Sequence, residues 1–119
     1  MRGSSRRPEQ IAESIRQVLA QTIGRELRDP RVGRVTLTRV EVTRDLGHAT
    51  VYVAVPGTEE EQAEAEAGLV SAGGFLRSRL ARVLTSRTVP QLAFQIDRGL
   101  EHARRIESLL EDINRERTD

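Results

Sequence analysis

The chain has 119 residues, room for one domain with one modest core, and is 37% hydrophobic and 31% charged, with a mean hydropathy of −0.47. It holds no cysteine, which excludes disulfides and thiolate chemistry, and no apolar run near the ~18 residues that cross a bilayer. All 19 basic residues are arginine against 18 acids, a net charge of +1, so a Walker A lysine, a Schiff-base lysine and a lysine general base are excluded too.

The opening MRGSSRRPEQ lacks the apolar centre of a signal peptide, and residues 1–7 are expected to form a flexible basic N-terminus to a cytoplasmic protein. Pro8 stands where a first helical residue often stands, and Ile11, Ile15, Val18, Leu19, Ile23 and Leu27 follow at helical period. That helix is predicted to stop at Asp29-Pro30, because the residue before a proline avoids helical angles. Two strands are predicted next. In RVTLTRVEVT, Val35 and Leu37 share one parity and Val40 and Val42 the other, which predicts a bulge near Thr38-Arg39. After the turn RDLG, the segment HATVYVAV puts Ala49, Val51, Val53 and Val55 on one face, completing a hairpin.

Pro56-Gly57 ends the hairpin, and Thr58 with Glu61 forms a capping box that starts a helix running to about Ser71. Gly73-Gly74 should break it, although each interior glycine costs roughly 1 kcal/mol relative to alanine, and the helix resumes to about Leu84. A short strand, QLAFQID, carries Leu92, Phe94 and Ile96 on one face. A last amphipathic helix with Leu100, Ala103, Ile106, Leu109, Leu110 and Ile113 is expected to pack on the domain's own sheet. Residues 114–119 read as a short solvated tail. The class is α+β, in the order α-β-β-α-kink-α-β with a C-terminal helix.

The charge is segregated: residues 1–47 carry net +4, 48–70 net −5, 71–98 net +4 and 99–119 net −2. Basic faces of this kind point toward a polyanion in a way that the average charge does not. Catalysis is not expected. His48 and His102 are far apart, no carboxylate spacing resembles a metal site, and the run of Glu59, Glu60 and Glu61 complements a helix N-terminus. A base-stacking sheet is not expected either, since Tyr52, Phe75 and Phe94 are the only aromatics and the two phenylalanines lie on apolar faces. Two basic features remain. At Ala72-Gly73-Gly74 the first amides of the second half-helix are free to meet an anion, with Arg77 and Arg79 just beyond; one is expected to contact a ligand and the other to be solvated. Arg25, Arg28, Arg31 and Arg34 surround the end of the first helix, and Arg44 lies in the next turn, with Asp29 and Asp45 as local turn caps. Arg82 and Arg87 are weaker candidates. Five phosphate-neutralising arginines would give a slope of roughly −3.5 in log K against log salt.

The stretches RELRDPRVG (25–33), VEVTRDLGHATVYVAV (40–55), SAGGFLRSRL (71–80) and VPQLAFQID (89–97) together resemble the ribosome-binding factor A family, over about residues 7–113. The resemblance implies a type II KH-like fold over residues 8–113, with an Ala-x-Gly kink, here Ala72-Gly73-Gly74, where ordinary KH domains carry a G-x-x-G loop. Glycine at the middle position departs from the family's usual small residue and should loosen the corner without changing its role. It implies binding to the immature small ribosomal subunit near the 5′-terminal helix of 16S rRNA, help in late rRNA maturation, and release involving a ribosome-associated GTPase. Cold adaptation goes with it, and no catalysis or cofactor is implied; from the residues themselves a monomer is expected, with no metal site and no membrane attachment. The family's longer C-terminal tail is largely missing here. A protein-interaction module docking its last helix, and a generic KH-like nucleic-acid binder unconnected to ribosomes, are the alternatives.

Overall fold

The computed structural model describes residues 7–84 and 88–118. Helix α1 (Pro8–Arg25) begins with proline at its first turn, and the Gln10 side chain accepts the Arg7 N–H at 3.2 Å. It ends at Arg25, earlier than the proline rule predicted. The N–H groups of Glu26 and Leu27 both donate to the Thr22 carbonyl, at 2.8 and 3.2 Å, closing the last turn and directing Leu27 onto the core. Pro30–Val32 then forms a separate 3-10 turn, capped by Asp29.

Strands β1 (Thr36–Val42) and β2 (His48–Ala54) pair antiparallel, with the register shifting between Leu37 and Arg39, where the parity change predicted a bulge. In the turn between them, Asp45 accepts the Gly47 N–H at 2.9 Å and the Thr43 hydroxyl at 2.7 Å, so this carboxylate is the local cap. Helix α2 (Glu59–Ser71) starts at the predicted box: Thr58 Oγ accepts the Glu61 N–H at 3.1 Å and the Glu61 carboxylate accepts the Thr58 N–H at 2.9 Å. Helix α3 (Gly73–Val83) follows after the single residue Ala72, and β3 (Gln91–Ile96) lies parallel to β2. The sheet order is β1-β2-β3.

Helices α1, α2 and α3 cover one face of this sheet. Ile15 and Leu19 of α1, Leu69 of α2, and Leu76 and Leu80 of α3 are fully buried against Val51 and Val53 of β2. Each such side chain contributes about 1.5–3 kcal/mol by leaving water. The opposite face carries the alternate residues, among them Arg39, Glu41, Thr50, Tyr52 and Gln95. Gly68 lets α2 approach the Pro30–Val32 turn: a Cβ there would stand 3.0 Å from Val32 Cγ1 and 3.3 Å from Arg31 Cβ.

Helix α4 (Gly99–Thr118) departs from expectation twice. It continues through residues 114–118, where a tail was predicted, and the described part of its stripe does not pack on the sheet, the Leu100 and Ala103 side chains lying outside the described ones. Ile106, Leu109, Leu110 and Ile113 stay 45%, 57%, 55% and 46% exposed. The cause is continuity: α4 begins directly after β3 and runs on as one unbroken helix, while α1, α2 and α3 already fill the sheet's apolar face. No helix among the described residues is long and apolar enough to cross a membrane.

Candidate nucleic-acid interface

The α2–α3 corner is built on Ala72, which ends one helix and begins the next. Its N–H donates to the Gly68 and Leu69 carbonyls at 3.1 Å, and its own carbonyl accepts the Leu76 N–H at 2.9 Å. As the first positions of α3, Gly73, Gly74 and Phe75 have amides without an acceptor inside that helix, at the positive end of its dipole. Neither glycine has a positive φ, and a Cβ on either would meet nothing within 4 Å. The backbone at the corner is bare toward open space, with no demand from the fold for bareness.

The arginines sort into two sets. Arg77 is half-buried and donates from Nε to the Pro90 carbonyl at 3.2 Å and from Nη2 to the Val89 carbonyl at 2.9 Å, tying α3 to the chain that enters β3. Arg79 donates from Nε and Nη2 to Glu26 Oε1 at 3.0 and 2.7 Å, with its guanidinium 4.7 Å from the Phe75 ring centroid. The expectation that one of this pair would be solvated is therefore corrected: both have partners inside the fold. Arg31 is held by Asp29, Nη2 to Oδ2 at 2.6 Å, and the same carboxylate accepts the Arg31 N–H at 2.9 Å. That bonding keeps the Asp29 carboxyl below its usual range. Among the described residues, Arg25, Arg28, Arg44 and Arg82 form no ion pair or side-chain hydrogen bond.

A groove between α1 and α3 gathers Arg25, Arg79 and Arg82 with Glu26, over an apolar wall of Val18 and Val83. Gly74 and Arg77 line a separate shallow depression with Ser78, Ala81 and Val89. Arg28 and Arg31 lie in the segment before β1. Arg44 lies in the hairpin turn, which the Gln91 N–H to Gly47 carbonyl bond joins to the start of β3. Arg87 falls outside the described residues, as does nearly all of the predicted flexible N-terminus.

Two features escaped sequence reading. Phe75, expected in the core, is 38% exposed, because on α3 it stands one residue, about 100° of helix rotation, off the face that buries Leu76 and Leu80. On the open sheet face Arg39 stacks 3.8 Å above the Tyr52 ring, and both bond Glu41, Arg39 Nη1 to Oε2 at 2.9 Å and the Tyr52 hydroxyl to Oε1 at 2.8 Å. The bond to Glu41 raises the Tyr52 pKa. Hairpin register across the bulge was the signal that could have placed Arg39 opposite Tyr52. Among the described residues no three histidine, aspartate or glutamate side chains gather as a metal site.

Three helices on one face of a three-stranded sheet, joined by a glycine-bearing corner between α2 and α3, make this a KH-like domain. The chain belongs to the ribosome-binding factor A family, whose model matches residues 7–110. Ribosome-binding factor A of Thermomicrobium roseum is 47% identical over 113 residues, 95% of this chain and 88% of that protein. The Leifsonia xyli relative is 46% identical over 104 residues, 87% of this chain and 73% of that protein. The crystal structure of ribosome-binding factor A from Thermus thermophilus superposes with a TM-score of 0.69 at 29% identity, covering 77% of this chain and 97% of that one. A homology model of the Thermus thermophilus factor, fitted into the cryo-EM map of its complex with 30S, superposes with a TM-score of 0.63 at 30% identity, covering 76% of this chain and 94% of that one.

Proposed function

We propose that this protein binds the immature small ribosomal subunit through 16S rRNA, near the 5′-terminal helix, and assists late rRNA maturation as a non-catalytic assembly factor. It works in the cytoplasm as a monomer, supports assembly in the cold, and leaves the subunit with the help of a ribosome-associated GTPase. One observation carries the reading: the α1–α3 groove offers the unpaired Arg25 and Arg82 beside Arg79. Unpaired guanidinium groups suit phosphate, with several donors in a flat fork. The bare Gly73-Gly74 corner adds amides that backbone phosphate can approach, and Arg28 and Arg44 extend the basic surface.

The pairing of the other arginines revises the expected electrostatics. Arg31 and Arg79 are already neutralised by carboxylates and Arg77 is committed to carbonyls, which leaves Arg25, Arg28, Arg44 and Arg82 as the free cations among the described candidates. With about 0.7 counterions released per single-strand phosphate contact, log K should fall with log salt at a slope of roughly −3. Co-sedimentation with small subunits, large subunits and assembled ribosomes across a salt series is the test. Selective binding to free small subunits with that slope is expected; binding that ignores salt overturns the electrostatic interface, and equal binding to all three overturns the assembly role. The exposed stripe of α4 favours one second reading, self-association through that helix, and sedimentation equilibrium of the full chain separates it from the monomer.

A further inference from the structure

The proposed phosphate contacts leave one exposed cluster unused. Phe75 stands at the start of α3 with more than a third of its surface open, in a protein whose other phenylalanine is buried. One turn on, Arg79 lays its guanidinium 4.7 Å from the ring centroid, and Glu26, from just past the end of α1, holds that guanidinium through two of its nitrogens. The Arg79 side chain keeps only 26% of its surface exposed, so its plane is fixed at little remaining entropic cost. The Glu26 carboxylate also neutralises Arg79, which takes it out of the set of phosphate contacts. What remains is an amphipathic pair of ring and guanidinium, the guanidinium held by Glu26, at the edge of the groove that holds Arg25 and Arg82.

We propose that the Phe75–Arg79 stack is a subsite for one unpaired nucleobase of the bound RNA, with Glu26 as the positioning residue that holds Arg79 in plane. The proposal rests on the RNA-interface reading above and deepens it: Arg25 and Arg82 take phosphate, and the stack takes a base. Aromatic rings and guanidinium planes are the surfaces on which splayed-out bases stack, and a base already paired in a duplex cannot reach them. The subsite therefore selects single-stranded over double-stranded RNA, which a purely electrostatic surface does not.

The chain has no tryptophan, so Phe75→Trp introduces the only indole. Short single-stranded RNA of mixed sequence and its duplex serve as probes, read by indole fluorescence and by affinity across a salt series. Phe75→Trp keeps a stacking ring, and its indole fluorescence is expected to be quenched on binding the single strand, with little quenching by the duplex. Phe75→Leu, which keeps an apolar side chain, should lose about tenfold in single-strand affinity and keep its salt slope. Glu26→Gln in the Phe75→Trp background should weaken the quenching, a readout that a merely structural role would not move. Arg25→Ala with Arg82→Ala should do the reverse: the slope falls by about 1–2 and quenching at saturation persists. Single-strand binding with the salt slope intact, no quenching, and full affinity in Phe75→Leu would overturn the stacking subsite and leave the interface standing. Folded wild-type protein that binds neither probe would overturn the interface, and the subsite with it.

Discussion

At the corner, two glycines that look alike in sequence to Gly57 and Gly68 behave differently. Gly57 has φ +115°, a conformation that side chains rarely adopt, and Gly68 is pressed against the Asp29–Val32 segment; substitution at either strains the fold. Gly73 and Gly74 meet neither demand. Alanine at both should therefore raise stability, by about 0.5–1 kcal/mol each, through helix propensity and a less flexible unfolded chain. The same methyl groups should weaken small-subunit binding by standing where a phosphate would approach. Thermal denaturation paired with co-sedimentation checks both signs. A double variant that is less stable would give the glycines a structural role, and one that is more stable with unchanged binding would remove them from the interface. Gly74→Val, for the same reason, should retain the fold. The arginines teach the complementary lesson, since residue type alone could not say that Arg77 holds carbonyls, that Arg79 holds Glu26, or that Arg25 and Arg82 stay unpaired.

At the scale of elements, local signals were legible because they act over a few residues. The Thr58–Glu61 box, the bulge after Leu37 and the alternation of β2 all lie where spacing placed them. The end of α1 did not, because Leu27 is drawn to the core and the chain leaves the helix before Pro30 forces it to. Several element ends are held by carboxylates, Asp45 and Glu61 exposed, Asp29 and Asp97 half-buried. Asp29 is lowered first by its bonds to the Arg31 guanidinium, Asp45 by the Thr43 hydroxyl, Glu61 by the Thr58 N–H and Asp97 by the Gly99 N–H. A folded-state pKa below the unfolded one means that the unfolded chain binds more protons on acidification. The resulting stability is complete above about pH 5 and is lost as pH falls from the ordinary carboxylate value near 4 through the lowered folded values. Urea denaturation at stepped pH should show a plateau from about pH 5 to 8 and a decline below about 4. Asp29→Asn combined with Asp45→Asn should flatten that decline; an unchanged acid limb would show that these caps do not carry it.

For the whole molecule, the sheet has one face covered by α1–α3 and another face left to polar residues, and α4 extends past both. The Cα radius of gyration is 17.8 Å with extents of 66 × 34 × 20 Å, whereas a compact chain of this length has about 13.5 Å. Small-angle scattering should accordingly give a value well above the compact one. A value near about 13–14 Å would mean that α4 folds back and buries its stripe, restoring the packing that its periodicity predicted. Amphipathic spacing says that a helix has an apolar side; it does not say that a partner for that side lies within reach.

By itself, the sequence determined the element order, the hairpin with its bulge, the sided strands and the glycine corner, and the family followed from four stretches in order. These rest on backbone sterics, capping bonds and periodicity, each complete within a short span of chain. Only the tertiary structure decided which arginines are free, that Phe75 faces outward, and that α4 stands away from the sheet. Those outcomes depend on what packing brings close, such as Glu26 to Arg79 across 53 positions, and on how much apolar face the first three helices leave uncovered.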